Sequence, residues 1–203
     1  MLAYSTVTNT GDSVITGDVG VSPTADSVIG FPPGVVNDGT IHSADATAAQ
    51  AQLDLTTAHN DAAGRTPFTT ITGNTFGGLN LGPGVYSGSA LSLTGTITLT
   101  GNANDIWIFQ AASTLVMAAG SQVILSGGAR AANVYWQVGS SATLGANAVF
   151  KGNIMAYASI TFDAGAALEG RALAQTAAVT LNSNTITRPG PEREEATGYR
   201  NIT

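Results

Sequence analysis

The chain has 203 residues, a formal net charge of −6 and only 10% charged residues, whereas 43% of its residues are hydrophobic. This composition argues against disorder and predicts a folded, turn-rich protein with an unusually uncharged surface. With seven lysines and arginines and no cysteine, the sequence excludes a basic surface for nucleic acid or anionic membranes, disulfides, and thiolate metal sites.

The N-terminal region, residues 4–40, consists of short β-branched runs separated by turn residues, as in STVTNTG and SVITGDVGVSP. Such runs are typical of strands connected by tight turns. The region before them lacks the basic start and apolar run of a signal peptide. Met1 resembles an added start on a mature chain, and we expect a secreted protein whose export signal is not part of this sequence.

Residues 41–64 lack proline, contain glycine only at position 64, and are rich in alanine. The pattern predicts a helix over about residues 42–64, with Ser43 as its N-cap, Asp45 in the first turn and Gly64 in the left-handed C-terminal position. One face of this helix carries small apolar residues at steps of three and four. They are Ala44, Ala48, Ala51, Leu55, Ala58 and Ala62.

The region from residue 66 to 187 repeats one short phrase, a Ser or Thr between two apolar residues. It occurs, for example, in ATLG, SITFDAG and AVTLNSN. We align the phrase at Ser92, Thr114, Thr143, Thr161 and Thr180. Each repeat holds three short apolar-alternating runs, and the period is close to 20 residues. This pattern indicates stacked coils with three parallel sheets.

The fold predicted is therefore mostly β: a right-handed, triangular, parallel β-solenoid with one long α-helix packed along one face. We expect a discontinuous coil order, in which the helix carries the chain from a first coil, residues 5–36, to the far end of the solenoid. The last coil then meets the first. The domain spans residues 1–187, and residues 188–203 form a polar, flexible tail.

Alternation along the runs divides their residues into two sets. The residues expected to point inward are Val134, Trp136, Val138, Leu144, Val149, Ile154, Ala156, Phe162, Leu168, Leu181 and Ile186. The large residues expected to point outward, beneath the helix, are Trp107, Phe109, Tyr135, Met155, Tyr157 and Leu173.

The repeat region offers little for catalysis. Its acids are Asp105, Asp163 and Glu169, and the last two fall on different faces, whereas glycoside cleavage needs clustered carboxylates. His42 and His59 have no second ligand at metal spacing and are interpreted as surface or capping residues. We therefore expect no enzyme, no metal and no cofactor.

The Ser and Thr of the repeats form a column, one per coil, on a face that has few Lys or Glu. The candidate site comprises Ser92, Thr94, Thr114, Ser141, Thr143, Ser159, Thr161, Thr176, Thr180 and Asn182. A second face with candidate residues comprises Thr96, Thr98, Thr100, Thr185 and Thr187, and Ile124, Phe150 and Glu169 interrupt it. High β propensity alone also places Thr on outward positions, so this simpler interpretation stands beside the functional one. A rigid array of methyl and hydroxyl groups at one strand spacing suits a crystalline lattice such as ice.

Segments along nearly the whole chain, residues 2–187, resemble the microbial β-solenoid ice-binding (antifreeze) protein family. They include STVTNTGDSVITGDVGVSP, the TIHSADATAAQAQLDLTTAHNDAAGRT helix, WIFQAASTL and NVYWQVGSSATLGANAVFKGNI. The resemblance implies a secreted or surface protein that adsorbs to ice through its solenoid. In some members a T-A/G-x-T/N motif marks the ice face. It matches in full at residues 72–75 (TGNT) and in part at residues 141–143 and 176–179.

The function expected is thus ice binding without a cofactor, through a flat Thr/Ser-rich face, by a monomer that depresses freezing and blocks ice recrystallisation. The alternative from a different class is an extracellular adhesin or structural solenoid module, with the polar tail as the start of a linker.

Overall fold

A computed structural model describes residues 1–190. The strands before the helix are β1 (Leu2–Ala3), β2 (Val7–Thr10), β3 (Val14–Thr16), β4 (Val19–Val21), β5 (Val28–Ile29), β6 (Val35–Asn37) and β7 (Ile41–Ser43). The helix, α1, covers Ala46–Ala63. The strands after it are β8 (Thr69–Thr70), β9 (Asn80–Leu81), β10 (Gly84–Gly88), β11 (Leu91–Leu93), β12 (Thr96–Thr100), β13 (Trp107–Ala111), β14 (Leu115–Met117), β15 (Gln122–Ser126), β16 (Val134–Val138), β17 (Ala142–Leu144), β18 (Val149–Ala156), β19 (Ile160–Phe162), β20 (Ala167–Ala174), β21 (Val179–Asn182) and β22 (Thr185–Thr187). Short 3₁₀ turns lie at Thr72–Asn74 and Ala131–Asn133.

These strands form a three-sided parallel solenoid, which confirms the predicted fold. One side is a seven-stranded sheet with the order β11-β14-β17-β19-β21-β2-β5; we call its outer surface the threonine face. The other two sides belong to one 15-stranded sheet. The helix face contains β8, β10, β13, β16, the second halves of β18 and β20, β1, β4 and β7. The second face contains β9, β12, β15, the first halves of β18 and β20, β22, β3 and β6.

Glycines allow β18 and β20 to run without a break around the corner between the helix face and the second face. Gly152 and Gly170 occupy equivalent positions in the two strands, and both have positive φ, +115° and +157°. A Cβ on Gly170 would lie 1.8 Å from the carbonyl oxygen of Gly152. Only glycine therefore permits the two coils to stack at this corner.

The coil order is discontinuous, as predicted. Leu2 in β1 pairs with Leu173 in β20, and Thr8 in β2 pairs with Thr180 in β21. On the second face, β3 pairs with β22. The N-terminal segment forms two coils rather than the single coil expected for residues 5–36, because β2 and β5 both lie on the threonine face and β3 and β6 both lie on the second face. The first of these coils continues the stack made by the last coil of the repeat region, although 172 residues separate Thr8 from Thr180.

Inward-pointing side chains fill the solenoid with a continuous core, at whose centre aromatic rings stack along the axis. The ring centroids of Phe109 and Trp136 are 3.9 Å apart and nearly parallel. Phe76 meets both rings edge-on, and Phe150 lies 4.8 Å from Trp136. All residues predicted to point inward are buried, except Val149, which is 36% exposed.

The exception at Val149 and two further errors share one cause, a shift of one residue in the assumed strand phase. Phe150, interpreted as outward, is buried in the core, so its neighbour Val149 points outward. Trp107 and Phe109 were expected beneath the helix, yet both are fully buried inside the solenoid. Phe109 pairs with the inward Trp136, and paired residues in a parallel sheet point to the same side.

The helix begins and ends differently from the sequence prediction. Asp45, not Ser43, is the N-cap: its Oδ1 accepts a hydrogen bond of 2.8 Å from the N–H of Ala48, and its Oδ2 lies 2.6 Å from His42 Nδ1. Ser43 instead belongs to β7. Gly64 has φ −86° and is not left-handed. At this end, the side-chain amide of Gln110 donates hydrogen bonds to the carbonyl oxygens of Ala62 and Arg65, which satisfies acceptors that the helix leaves free.

The helix packs through a narrow apolar stripe onto the helix face. Ala48, Leu55 and Ala62 are buried, whereas Ala44 and Ala58, assigned to the stripe, are exposed. Partly buried Ala51 packs in the same cluster. On the sheet side the contact is made by Leu2, Ile108, Tyr135, Met155 and Leu173. The predictions for Tyr135, Met155 and Leu173 are therefore confirmed.

His59 also lies in this interface, which corrects its interpretation as a surface or capping residue. It is buried, and its Nε2 lies 3.2 Å from the carbonyl oxygen of Val138 and 3.2 Å from Gln137 Nε2. Tyr157 remains half-exposed, with its ring centroid 6.4 Å from that of His59.

The helix contacts β7, β4, β1, β18, β16 and β13, so it runs from the N-terminal coils towards the far end, as predicted. Its 18 residues give a length of about 27 Å. Nine strands form the helix face, and their stack is about 38 Å long. The helix is therefore shorter than the solenoid, which corrects the expectation that the helix by itself carries the chain to the far end.

The tail predicted from residue 188 onward is described only for its first three residues. The N–H of Arg188 donates a hydrogen bond to the carbonyl oxygen of Thr16, and Pro189 is buried. Residues 191–203 lie outside the described residues. The boundary at residue 187 and the flexibility of the tail remain predictions.

Loss of the helix cap should destabilise the fold in a pH-dependent manner. The hydrogen bond from Ala48 N–H, followed by the interaction with His42, lowers the pKa of Asp45 below its ordinary value of 3.8. A lowered pKa means that the carboxylate stabilises the folded state above pH 3.8 and loses this effect as the pH falls through the folded-state pKa. We expect Asp45→Ala to lower the urea midpoint at pH 7, with a smaller difference from the wild type near pH 3. Asp45→Asn is the control, because Asn also caps helices but carries no charge; a D45A deficit that is equally large at both pH values would contradict the assignment.

The two sides of β13 should differ sharply in their contribution to stability. Phe109→Ala removes a fully buried ring and should cost about 3–5 kcal/mol. Ile108, its neighbour on the helix side, is only partly buried, and Ile108→Ala should cost less. Urea unfolding of the two variants tests this difference; equal costs would contradict the observed phase of β13.

Candidate functional site

The threonine face lacks charged residues along its strands. The sequences of its seven strands, from β11 to β5 in sheet order, are LSL, LVM, ATL, ITF, VTLN, VTNT and VI. Most large apolar residues of these strands point into the core, and the outward residues are Ser, Thr and Asn182 together with the apolar Val116 and Ile29. The outer surface therefore presents hydroxyl and methyl groups rather than ions.

In-register pairing aligns the central outward residues into one column across the sheet. The column contains, in spatial order, Thr75, Ser92, Val116, Thr143, Thr161, Thr180, Thr8 and Ile29. Each paired step is one strand spacing, about 4.7–4.9 Å. The hydroxyl oxygens of Thr8 and Thr180 are 3.4 Å apart.

The structure corrects the sequence alignment at Thr114. Val116 pairs with both Ser92 and Thr143, so Val116, not Thr114, is the central outward residue of its coil. It is 44% exposed. The coils before and after this one have Ser92 and Thr143 at the centre of the phrase. The sequence alignment therefore favoured the hydroxyl residue of this coil, Thr114. Thr114 instead precedes β14, and its carbonyl oxygen accepts a hydrogen bond from Leu91 N–H.

Two flanking columns extend the surface on either side. Thr114, Ser141 and Ser159 precede the central residues by two positions, and the hydroxyl of Ser159 donates to that of Ser141 at 3.0 Å. Thr94, Asp163 and Asn182 follow the central residues by two positions and are exposed, so Asp163 places one charge at this border of the face. Of the ten residues of the predicted site, nine therefore border or occupy this face. Thr176 lies at a corner outside the sheet, where its hydroxyl donates to the carbonyl oxygen of Tyr157.

The sequence prediction missed the contribution of the two N-terminal coils. Thr8 extends the central column, Thr10 pairs with Asn182 in the following column, and Ile29 ends the sheet with 54% exposure. The signal was present, because the VTNT of β2 resembles the VTLN of β21. Thr75, from the TGNT segment, forms an isolated bridge with Ser92 at the opposite end.

The second face has a different chemistry. Its outward column contains Asn80, Thr98, Ile124, Lys151, Glu169, Thr187, Thr16 and Asn37. At its centre, Lys151 Nζ lies 2.5 Å from Glu169 Oε2. Thr96 and Thr185 lie in the adjacent column, and Thr100 continues β12. Phe150, which we expected to interrupt this face, points into the core.

The described residues do not assemble a group for acid–base or metal chemistry at either face. Glu169 forms an ion pair with Lys151, and Asp163 lies after β19 at the edge of the threonine face. Within residues 1–190, no cluster of three or more His, Asp and Glu side chains could hold a metal ion. No helix in this part of the chain has the length and apolar character needed to cross a membrane.

Comparison with known proteins places the chain in a family. The family model described as Ice-binding-like matches residues 1–187. The chain belongs to this family. An ice-binding protein of Nostoc sp. (strain HG1) is 50% identical over 190 residues, which cover 92% of this chain and 70% of the relative. An ice-binding protein of Flavobacterium frigoris (strain PS1) is 37% identical, with 93% of this chain and 73% of the relative covered.

Solved structures of the family share the fold. An ice-binding protein from an Antarctic biological consortium matches with a TM-score of 0.88 and 52% identity, over 93% of this chain and 86% of that chain. One from the Antarctic ascomycete Antarctomyces psychrotrophicus matches with a TM-score of 0.88 and 43% identity, over 94% of both chains. The family resemblance expected from the sequence is thus confirmed.

Proposed function

We propose that this protein binds ice through the threonine face. One observation carries the choice of face: the strands of the seven-stranded sheet contain no charged residue, and their outward positions repeat Ser and Thr in register. The relatives described as ice-binding proteins support ice as the ligand.

The physical basis is that the side chains of this surface lose little conformational entropy when they contact a solid. The β-branched threonine has a stiff χ1, so few side-chain conformations are lost on contact. Charged groups would hold their hydration water strongly, and none lies on these strands. Hydroxyl groups at one strand spacing hold ordered water in a repeating pattern, and methyl groups between them exclude disordered water. Binding to ice then results from many weak contacts made at the same time along one rigid face.

This activity is non-covalent, and we propose neither catalysis nor a cofactor. Adsorbed molecules pin a growing ice front, which lowers the freezing point and slows recrystallisation. We also propose an extracellular monomer. The family resemblance of the sequence implies a secreted or surface protein, and the threonine face is formed completely within one chain.

Bulky residues at the centre of the threonine face should abolish ice binding without unfolding the protein. In the double variant Thr143→Tyr/Thr161→Tyr, two phenol rings lift the face from the ice, and we expect affinity for ice to fall at least about tenfold, a loss of about 1.4 kcal/mol or more. The measurement is single-crystal ice growth together with the gap between melting and freezing points. The matched control is Thr98→Tyr/Thr185→Tyr on the second face, which should retain activity.

If the two double variants behave in the opposite way, ice binds to the second face. If the folded wild type leaves ice growth round and unchanged at every concentration, ice is not the ligand. The adhesin or structural module then becomes the leading hypothesis.

The N-terminal coil should also be part of the ice-contacting surface. We expect Thr8→Tyr to reduce the freezing-point gap as a single tyrosine at Thr161 does, because both residues lie in the central column. Thr16→Tyr is the control, since Thr16 belongs to the same coil but to the second face. Equal activity of the two variants would restrict the contact surface to the repeat region.

A further inference from the structure

The second face contains the elements of another regular surface, interrupted at one place. Its outward column has the uncharged residues Asn80, Thr98 and Ile124 on one side of the interruption and Thr187, Thr16 and Asn37 on the other. The adjacent column contains Thr96, Gln122, Val149, Ala167, Thr185, Val14 and Val35, without a charge. The pairing is parallel and in register throughout, as on the threonine face.

The interruption is the ion pair of Lys151 and Glu169. These residues are direct neighbours in adjacent coils, and Nζ and Oε2 are 2.5 Å apart. Both side chains are partly exposed, Lys151 to 28% and Glu169 to 40%. In the described part of the chain, this face has two outward columns. Lys151 and Glu169 are the charged residues of these columns.

We propose that the Lys151–Glu169 pair prevents the second face from adsorbing to ice and thereby confines adsorption to the threonine face. This inference rests on the proposed function, since it concerns which of two similar surfaces the ice accepts. The two residues are specificity-determining rather than contact residues. They act by making one face unsuitable, as interfaces do when they select against a wrong partner.

Two physical effects make the pair unsuitable for contact with ice. First, half-exposed charges keep water of their own, and a solid surface that approaches must remove this water or leave a gap. Secondly, the longer side chains of Lys and Glu break the even relief of the Thr column. A hollow of about 250 Å³ lies beside them, lined by Ala167, Thr185 and Thr187 among others. Ice would meet a charged ridge and a hollow instead of a regular row.

The test removes the pair in a protein whose threonine face is already blocked. The parent is Thr143→Tyr/Thr161→Tyr, and the test variant adds Lys151→Thr/Glu169→Thr. Removal of both partners leaves no single charge behind, and threonine is favoured in strands. The outward column of the second face would then have hydroxyl groups at positions 151 and 169 as well as at Thr98, Thr187 and Thr16. The matched control adds Lys151→Glu/Glu169→Lys to the same parent, which retains both charges in reversed order.

The measurement is the fraction of each protein that partitions into a slowly growing ice hemisphere, with circular dichroism and the thermal midpoint as checks of folding. We expect the test variant to enter ice about tenfold more than the parent, and the reversed pair to remain at the parent's level. Folded test protein that is no more enriched than the parent overturns the inference. Equal enrichment of the reversed pair also overturns it, since the charges would then not be the cause.

Failure of the proposed function is distinguishable from these results. If the parent itself still partitions into ice as the wild type does, the threonine face is not the ice-contacting surface. If the wild type does not enter ice at all, ice is not the ligand. Only the comparison among variants of an inactive parent concerns the ion pair.

Discussion

In-register hydrogen bonding between parallel coils is the constraint on which the rest of this structure depends. Because each residue pairs with its equivalent in the next coil, a choice made once along the chain is repeated at every strand spacing. Inward positions build the aromatic stack of Phe109, Trp136 and Phe150. Outward positions of the seven-stranded sheet build a column of hydroxyl groups. The core and the proposed ice-contacting face are thus two sides of the same pairing.

The same constraint explains the value of the discontinuous coil order. The N-terminal coil satisfies the exposed edge of the last repeat through the pairing of β1, β2 and β3 with β20, β21 and β22. An unpaired edge of this kind is otherwise a site for aggregation. The arrangement also lengthens the threonine face by the residues Thr8 and Ile29. The helix packs on the large outward residues Tyr135, Met155 and Leu173. It thereby shields the apolar side chains of the helix face from water.

Local patterns in the sequence were sufficient for the fold and for most of the candidate surface. The recurring phrase of Thr between apolar residues predicted stacked coils, and the alanine-rich segment predicted the helix and the side that it covers. Errors arose where a pattern left two phases open. In WIFQA (residues 107–111), Trp107 and Phe109 alternate with Ile108 and Gln110, which are also large. Alternation alone therefore did not show which of the two sets, and hence whether Phe109, points inward. In STLVM (residues 113–117), Thr114 has the hydroxyl group of the phrase whereas Val116 has the two apolar neighbours, and only pairing with Ser92 and Thr143 shows that Val116 is the central residue.

The sequence by itself determined the class of the surface: it is poor in charge, rich in Ser and Thr, and repeated at one interval, because composition and period are properties of the chain alone. The tertiary structure decided which residues share that surface. Thr8 stands beside Thr180 only because the first coil docks on the last, and Lys151 stands beside Glu169 only because two coils stack at this register. Contacts between distant parts of a chain depend on how coils pair in space, and spacing along the sequence does not encode that pairing directly.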